Sequence, residues 1–333
     1  MLVAILLFIA GLVLLIKGGD WFVDGSTGIA HRFNVPEVLI GATIVSIGTT
    51  LPEVLVSATS AVSGHGEIAY GNAIGSIICN TALIAAITIT IKPAEVERNS
   101  LKMPVLFFFI SAVFYAYTAY YAKEFDRVTG IILLSIFAIY MGISIRQAVG
   151  DLKLQRHLEA TEPPEVQKKE EVEAAFGQTW KDVLKLVVGA AIIAFGANLL
   201  VENGTLIAKY MGVPESVIAL TFVALGTSLP ELTTAIISLS KGHGALSVGN
   251  IIGANMFNLV LVSGVSIVLQ PFNLPTEKTI NGINSSLVID VPLMMIVMAI
   301  MTVPALIKGE LKRWQGIILL LIYAAFCTYQ FTN

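Results

Sequence analysis

Charge is scarce in this 333-residue chain: Asp, Glu, Lys and Arg make up only 13% of it, against 56% hydrophobic residues. Together with a mean hydropathy of +0.82, that scarcity excludes a water-soluble domain of this size and implies a polytopic membrane protein. Cysteine is nearly absent as well. Cys79 and Cys327 lie far apart in apolar sequence, which argues against a disulfide framework and against a CxxC metal site. No basic run could track a phosphate backbone and the net charge is -3, so nucleic acid is not an expected partner. The apolar opening, Met1 to Ile16, has neither a basic leader nor a small-residue cleavage site before Lys17. It reads as part of a first spanning helix rather than a secretory signal.

Ten apolar stretches are long enough to cross about 30 Å of hydrocarbon, which takes roughly 20 residues. They lie near residues 2–30, 36–62, 68–91, 103–122, 128–148, 180–208, 215–240, 246–269, 285–306 and 313–331. The most polar stretch, 151–178, contains EATEPPEVQKKEEVE, and its Pro163, Pro164 and mixed charges predict a hydrated linker. The expected organisation is a first five-helix unit over 1–150, the linker over 151–178, and a second five-helix unit over 179–333.

One segment occurs twice. Gly41 to Asn80 and Ala219 to Asn258 align without a gap at an offset of 178, each carrying GT(T/S)LPE, a GHG turn, GNxIG and a final asparagine. Weaker matches, Gly11 with Gly189 and Pro36 with Pro214, extend the duplication to the whole half. Because each half holds an odd number of helices, the second must enter the membrane from the opposite side, an inverted-topology repeat. Basic residues give an independent test. With the N-terminus outside, the inward loops hold fifteen Lys and Arg and the outward loops four, Lys123, Arg127, Lys209 and Lys278. The positive-inside rule then predicts both termini outside and the linker in the cytoplasm, in a cell membrane. The fold class expected is an all-α polytopic membrane protein with ten transmembrane helices in two inverted repeats of five.

A carboxylate within an apolar span is costly unless it has a partner or a wet cavity, and the repeats place Glu53 and Glu231 at equivalent points. Proline and glycine in GT(T/S)LPE predict a kinked or unwound turn at Thr49, Thr50, Thr227 and Ser228, with carbonyls freed toward a cation. Glu53 follows Thr49 by four residues and shares its helix face, as does Glu231 with Thr227. On the next helix Ser76 and Asn80 share a face, with Asn72 a turn earlier; the second copy offers Asn250, Ala254 and Asn258. Gly71, Gly75, Gly249 and Gly253 would admit a neighbouring helix closely. Carboxylates, amides, hydroxyls and carbonyls form an all-oxygen set suited to a hard cation such as Ca2+. Two ionised glutamates are neutralised equally by one Ca2+, two Na+ or two protons, and that equivalence is the physical basis of exchange.

In these paired motifs the chain resembles the cation/calcium exchanger superfamily, specifically its prokaryotic Na+/Ca2+ antiporter branch, over nearly its full length. The resemblance implies a central Ca2+ site made by Glu53 and Glu231 with the carbonyls of Thr49 and Thr227, completed by Asn80 and Asn258. It implies flanking Na+ sites, the inner lined by Thr50, Ser76 and Ser46 and the outer by Ala224, Thr227, Ser228 and Glu231. It also implies that the first and sixth helices slide across the rest in alternating access. Two positions depart from the pattern: Ala254 stands where the branch often has serine, and Asn258 where potassium-dependent members carry aspartate. Both bear on stoichiometry.

Secondary antiport of Ca2+ against Na+ is therefore the expected function, with Ca2+, Na+ and the bilayer as partners, no cofactor and no enzymatic activity, in a monomer. Ca2+/H+ exchange is the nearest alternative, since buried paired glutamates can titrate; a cation channel or an intramembrane hydrolase fits less well. His65 and His243, in GHG turns, read as exposed turn residues, with proton sensing as the other reading. His31 and His157 are assigned no role. The aromatic run from Phe107 to Tyr121 reads as lipid-facing anchorage, and Met294, Met295, Met298 and Met301 as ordinary core.

Overall fold

The computed structural model describes residues 1–33, 35–122, 124–159, 169–211, 226–275 and 279–332. Among them are ten helices: α1 (Leu2–Arg32), α2 (Glu37–Val62), α3 (Gly66–Ile91), α4 (Arg98–Ala122), α5 (Arg127–Glu159), α6 (Lys169–Tyr210), α7 (Leu229–Ser240), α8 (Gly244–Leu269), α9 (Ser286–Lys308) and α10 (Arg313–Thr332). Eight carry stretches long and apolar enough to cross a membrane; α7 and α10 are the others. Helices α5 and α6 run into the polar stretch as far as Glu159 and from Lys169. Of the expected span over 215–240, only the part from residue 226 is described.

Of three short strand pairs, two report how the halves are related. Ala94–Glu95, between α3 and α4, pairs antiparallel with Glu310–Leu311, between α9 and α10. Glu124–Phe125, between α4 and α5, pairs with Phe272–Asn273, between α8 and α9. The third loop of each half thus meets the fourth loop of the other, as two units inserted in opposite directions require; units with the same orientation would bring α3–α4 against α8–α9. The third pair, Thr279–Ile280 with Ile283–Asn284, is a local hairpin.

Burial separates a centre from a flank. The spanning windows of α3 and α8 are 72% and 83% buried, those of α1 and α6 only 28% and 22%, so the repeated segments form the centre. Helices α1 and α6 pack on one another antiparallel along glycines seven residues apart. A methyl group at Gly11 would meet Gly196 O and one at Gly18 would meet Gly189 O, at 2.8 and 3.0 Å. Such contacts leave no room for alanine without moving a backbone, and overpacking of this kind costs about 1–3 kcal/mol. The apolar cores follow the same division. Phe22, Val23, Ile193 and Ala197 belong to a cluster built mainly by α1, α2 and α6, with Ile237 of α7 and Leu246 of α8, apart from the larger cluster centred on α3, α4, α5, α8, α9 and α10.

Some expectations need correction. The aromatic run is not uniformly lipid-facing: Phe108 and Tyr115 are fully buried, Tyr115 lying 4.7 Å from the ring of Phe125. The helical period sends alternate aromatics inward, and Tyr117 and Tyr121 outward. Met298 is not mere core filling, because its sulfur lies 3.4 Å from Thr81 Oγ1 and 3.1 Å from Asn255 Nδ2.

Candidate functional site

The first GTTLPE does not unwind. Helical hydrogen bonding continues from Ser46 to Val62 through Thr49 and Thr50, with Pro52 inside the helix. The irregularity lies one turn earlier, where Gly41–Val45 is π-helical; a π segment leaves main-chain carbonyls to be satisfied from outside the ladder. Ser46 Oγ lies 2.7 Å from Gly41 O, and Tyr140 Oη donates to Ala42 O at 2.9 Å. The second copy does break: Thr227 and Ser228 form a turn, α7 starts at Leu229, and Leu232 N–H donates to Ser228 O at 3.0 Å. Further π segments begin at Asn80 and at Asn258. No proline or glycine marks either, so the sequence carried no signal for them.

Hydrogen bonds cross between the halves in reciprocal pairs. Thr49 Oγ1 donates to Asn250 Oδ1 at 3.3 Å, and its counterpart Thr227 Oγ1 donates to Asn72 Oδ1 at 3.2 Å. Ser46 Oγ lies 2.9 Å from Asn250 O. The π segment beginning at Asn80 packs on α7 and the one beginning at Asn258 packs on α2. Close packing of α8 on the start of α2 depends on Gly249 and Gly253, whose missing side chains would strike Val38 O and Ser46 Oγ. Among the described residues, nothing lies within 4 Å of a methyl group placed at Gly71 or Gly75.

Within this centre Glu53 and Glu231 are both fully buried, near enough for their charges to interact. Thr49 and Thr50, from the other half, face the Glu231 carboxylate. Even so, the carboxylate oxygens of Glu53 and Glu231, the amide oxygens of Asn80 and Asn258, and the hydroxyls of Thr50 and Ser228 are buried without a hydrogen-bond partner among the described residues. Buried polar groups are ordinarily paired, and each orphan costs about 1–3 kcal/mol. A concentration of orphan oxygens is what a site built for a hard cation presents.

Of the residues singled out in the sequence, Glu53, Glu231, Thr49, Thr50, Ser46, Ser76, Asn80, Asn258 and Ser228 are all buried in this centre, and Thr227 is partly buried at its edge. Ala224 lies outside the described residues. Asn72 and Asn250 were noted only for their helix face; their role as cross-links between halves needed tertiary structure. Tyr140 was missed altogether, since its partner is 98 residues away. His65 is exposed as expected. His243 is not simply exposed: its Nδ1 lies 2.8 Å from Glu37 Oε1, because the α7–α8 turn packs on the start of α2.

Two inverted helical halves joined around buried carboxylates define a membrane transporter of inverted-repeat architecture. The sequence pattern of the family described as sodium/calcium exchanger protein matches residues 3–146 and 181–332, and the chain belongs to that family of cation exchangers. It is 32% identical over 335 residues to the putative antiporter CaxA of Alkalimonas amylolytica, covering 99% of this chain and 98% of that protein. It is 30% identical over 353 residues to the sodium/calcium exchanger MaX1 of Methanosarcina acetivorans, covering 98% of each. Among solved structures it resembles the sodium-calcium exchanger NCX_Mj with a TM-score of 0.78 and 29% identity, over 97% of each chain.

Proposed function

We propose that this chain exchanges Ca2+ for Na+ by alternating access, at one mid-membrane site held jointly by its two halves. The observation that carries the reading is the set of orphan buried oxygens on Glu53, Glu231, Asn80, Asn258, Thr50 and Ser228. Glu53 and Glu231 supply the charge that one Ca2+ or two Na+ would balance. Thr49 and Thr227 contribute carbonyls; Ser46, Thr50 and Ser76 line an inner Na+ position, and Ala224, Thr227 and Ser228 an outer one. An empty charged pair is too costly to occlude, so the protein changes its facing only when loaded, and that constraint couples the two fluxes.

Helices α1 and α6 are the natural moving pair: their spans are little buried, 28% and 22%, and, unlike the equally exposed α5, they are held together by their own glycine seam. The polar stretch 151–178 joins two five-helix units on the cytoplasmic side, with both termini outside. If three Na+ pass for one Ca2+, each cycle carries one net charge and the membrane potential supplies about 2.3 kcal/mol per 100 mV. Ca2+ flux in proteoliposomes, with Na+, K+ and H+ gradients imposed one at a time, tests the reading. Uptake driven by Na+ is expected; uptake driven by protons alone would replace Na+ with H+ as the coupling ion, and uncoupled current would indicate a channel.

A further inference from the structure

The corner between α1 and α2 meets the α7–α8 turn on one membrane face, and three potential metal ligands come together there. His31 is the penultimate residue of α1, Glu37 opens α2, and His243 precedes α8. His243 Nδ1 is 2.8 Å from Glu37 Oε1 and His31 Nε2 is 3.8 Å from the same oxygen. The two imidazoles stand edge to face with centroids 6.3 Å apart. One donor atom from each of the three residues lies within 4.8 Å of the others.

A tetrahedral Zn2+ binds nitrogen and carboxylate oxygen at about 2.0–2.2 Å, which sets its ligand atoms roughly 3.3 Å apart. The His243–Glu37 pair need open only slightly to admit an ion in place of the shared proton. His31 can close the remaining gap by rotating, since 73% of its side chain is exposed. Three protein ligands leave a fourth position for water. The nearby cations do not oppose an ion here: Arg32 pairs with Asp182 at 3.0 Å, and Lys241 with Asp24 at 2.7 Å and Asp20 at 3.2 Å. Two imidazoles also select the metal. They suit borderline transition ions and are poor ligands for Ca2+ or Na+, which take oxygen, so the cargo would not fill this site.

We propose that His31, Glu37 and His243 form a binding site for a divalent transition metal of the Zn2+ class, and that the bound metal arrests exchange. The three ligands belong to α1, to α2 and to the α7–α8 turn, so an ion shared among them clamps the end of α1 to the centre of the molecule. Binding stands on this geometry alone; the arrest rests on the exchange activity and the moving α1–α6 pair proposed above.

The test uses tag-free full-length protein, with Co2+ as a spectroscopic probe and Zn2+ as competitor. One Co2+ per chain should bind with a visible d–d absorption that Zn2+ displaces, and binding should weaken more than about tenfold in each of His31→Ala, His243→Ala and Glu37→Gln. The exposed His31 ring makes the first variant safe for folding. In proteoliposomes Zn2+ should slow Ca2+ flux of the wild type and leave His31→Ala, whose basal flux is unchanged, unaffected. Wild-type protein that binds no Co2+, or variants that bind it equally well, would overturn the site. Binding without slowing, or slowing that persists in His31→Ala, would overturn the clamp. The Co2+ titration decides the site even if the vesicles show no exchange, which separates its failure from failure of the functional reading.

Discussion

The two halves agree at their carboxylates and differ at three of their hydroxyls. Glu53 and Glu231, Asn72 and Asn250, and Asn80 and Asn258 correspond across the repeat, whereas Ser46, Ser57 and Ser76 of the first half face Ala224, Ala235 and Ala254 of the second. One consequence is visible. Asn72 Nδ2 donates to Ser57 Oγ at 2.8 Å and lies 3.3 Å from Glu53 O. Asn250 Nδ2, with Ala235 where that serine would be, has no partner among the described residues. The charged pair and the reciprocal Thr–Asn bridges are common to both halves, whereas these serines, including Ser46, which also bridges to Asn250, occur in the first half alone. The backbone diverges as well: Pro52 sits inside a continuous helix and Pro230 near the start of one.

The largest effect should come from the residues the halves share. Glu53→Gln and Glu231→Gln should each lower Na+-driven Ca2+ flux at least about a hundredfold, because one carboxylate cannot balance a divalent ion in a buried site. A large loss in only one variant would break the equivalence of the halves. The asparagines come next. Asn72→Ala removes bonds to Thr227 and Ser57 and should cost about 1–3 kcal/mol in thermal unfolding; Asn250→Ala, which also removes an orphan donor, should cost less. Equal losses would contradict the asymmetry drawn here. Ala235→Ser should repair the second half by giving Asn250 Nδ2 an acceptor, raising stability by about 1 kcal/mol. The smallest effect is expected of Ala254→Ser, which restores a hydroxyl matching Ser76 and should tighten apparent Na+ affinity about threefold if the outer position is as proposed. No change in Na+ dependence would remove residue 254 from the site.

The sequence made the inverted repeat and the two glutamates legible because a charge in an apolar run is costly enough to stand out. Helix positions were legible for the same reason, through hydropathy. What escaped was set by packing rather than composition. The π segment at Gly41 is supported by an outside donor, Tyr140 at Ala42, those at Asn80 and Asn258 fall where neighbouring helices pack, and proline misdirected the expectation toward Thr49 and Thr50. The pairing of His243 with Glu37 joins residues 206 positions apart, beyond any local pattern. The two-sided burial of α4 needed its neighbours to be known, since an aromatic run looks alike whether it meets lipid or protein.

The most direct test of a single site shared by two inverted halves is anomalous diffraction from crystals of the full chain soaked with Sr2+ as a Ca2+ mimic. One strong peak should lie between the Glu53 and Glu231 carboxylates, with oxygens of Thr49 and Thr227 in its coordination shell, and it should vanish at high Na+. A peak bound by one glutamate alone, or a divalent ion elsewhere with the two carboxylates apart, would contradict the account.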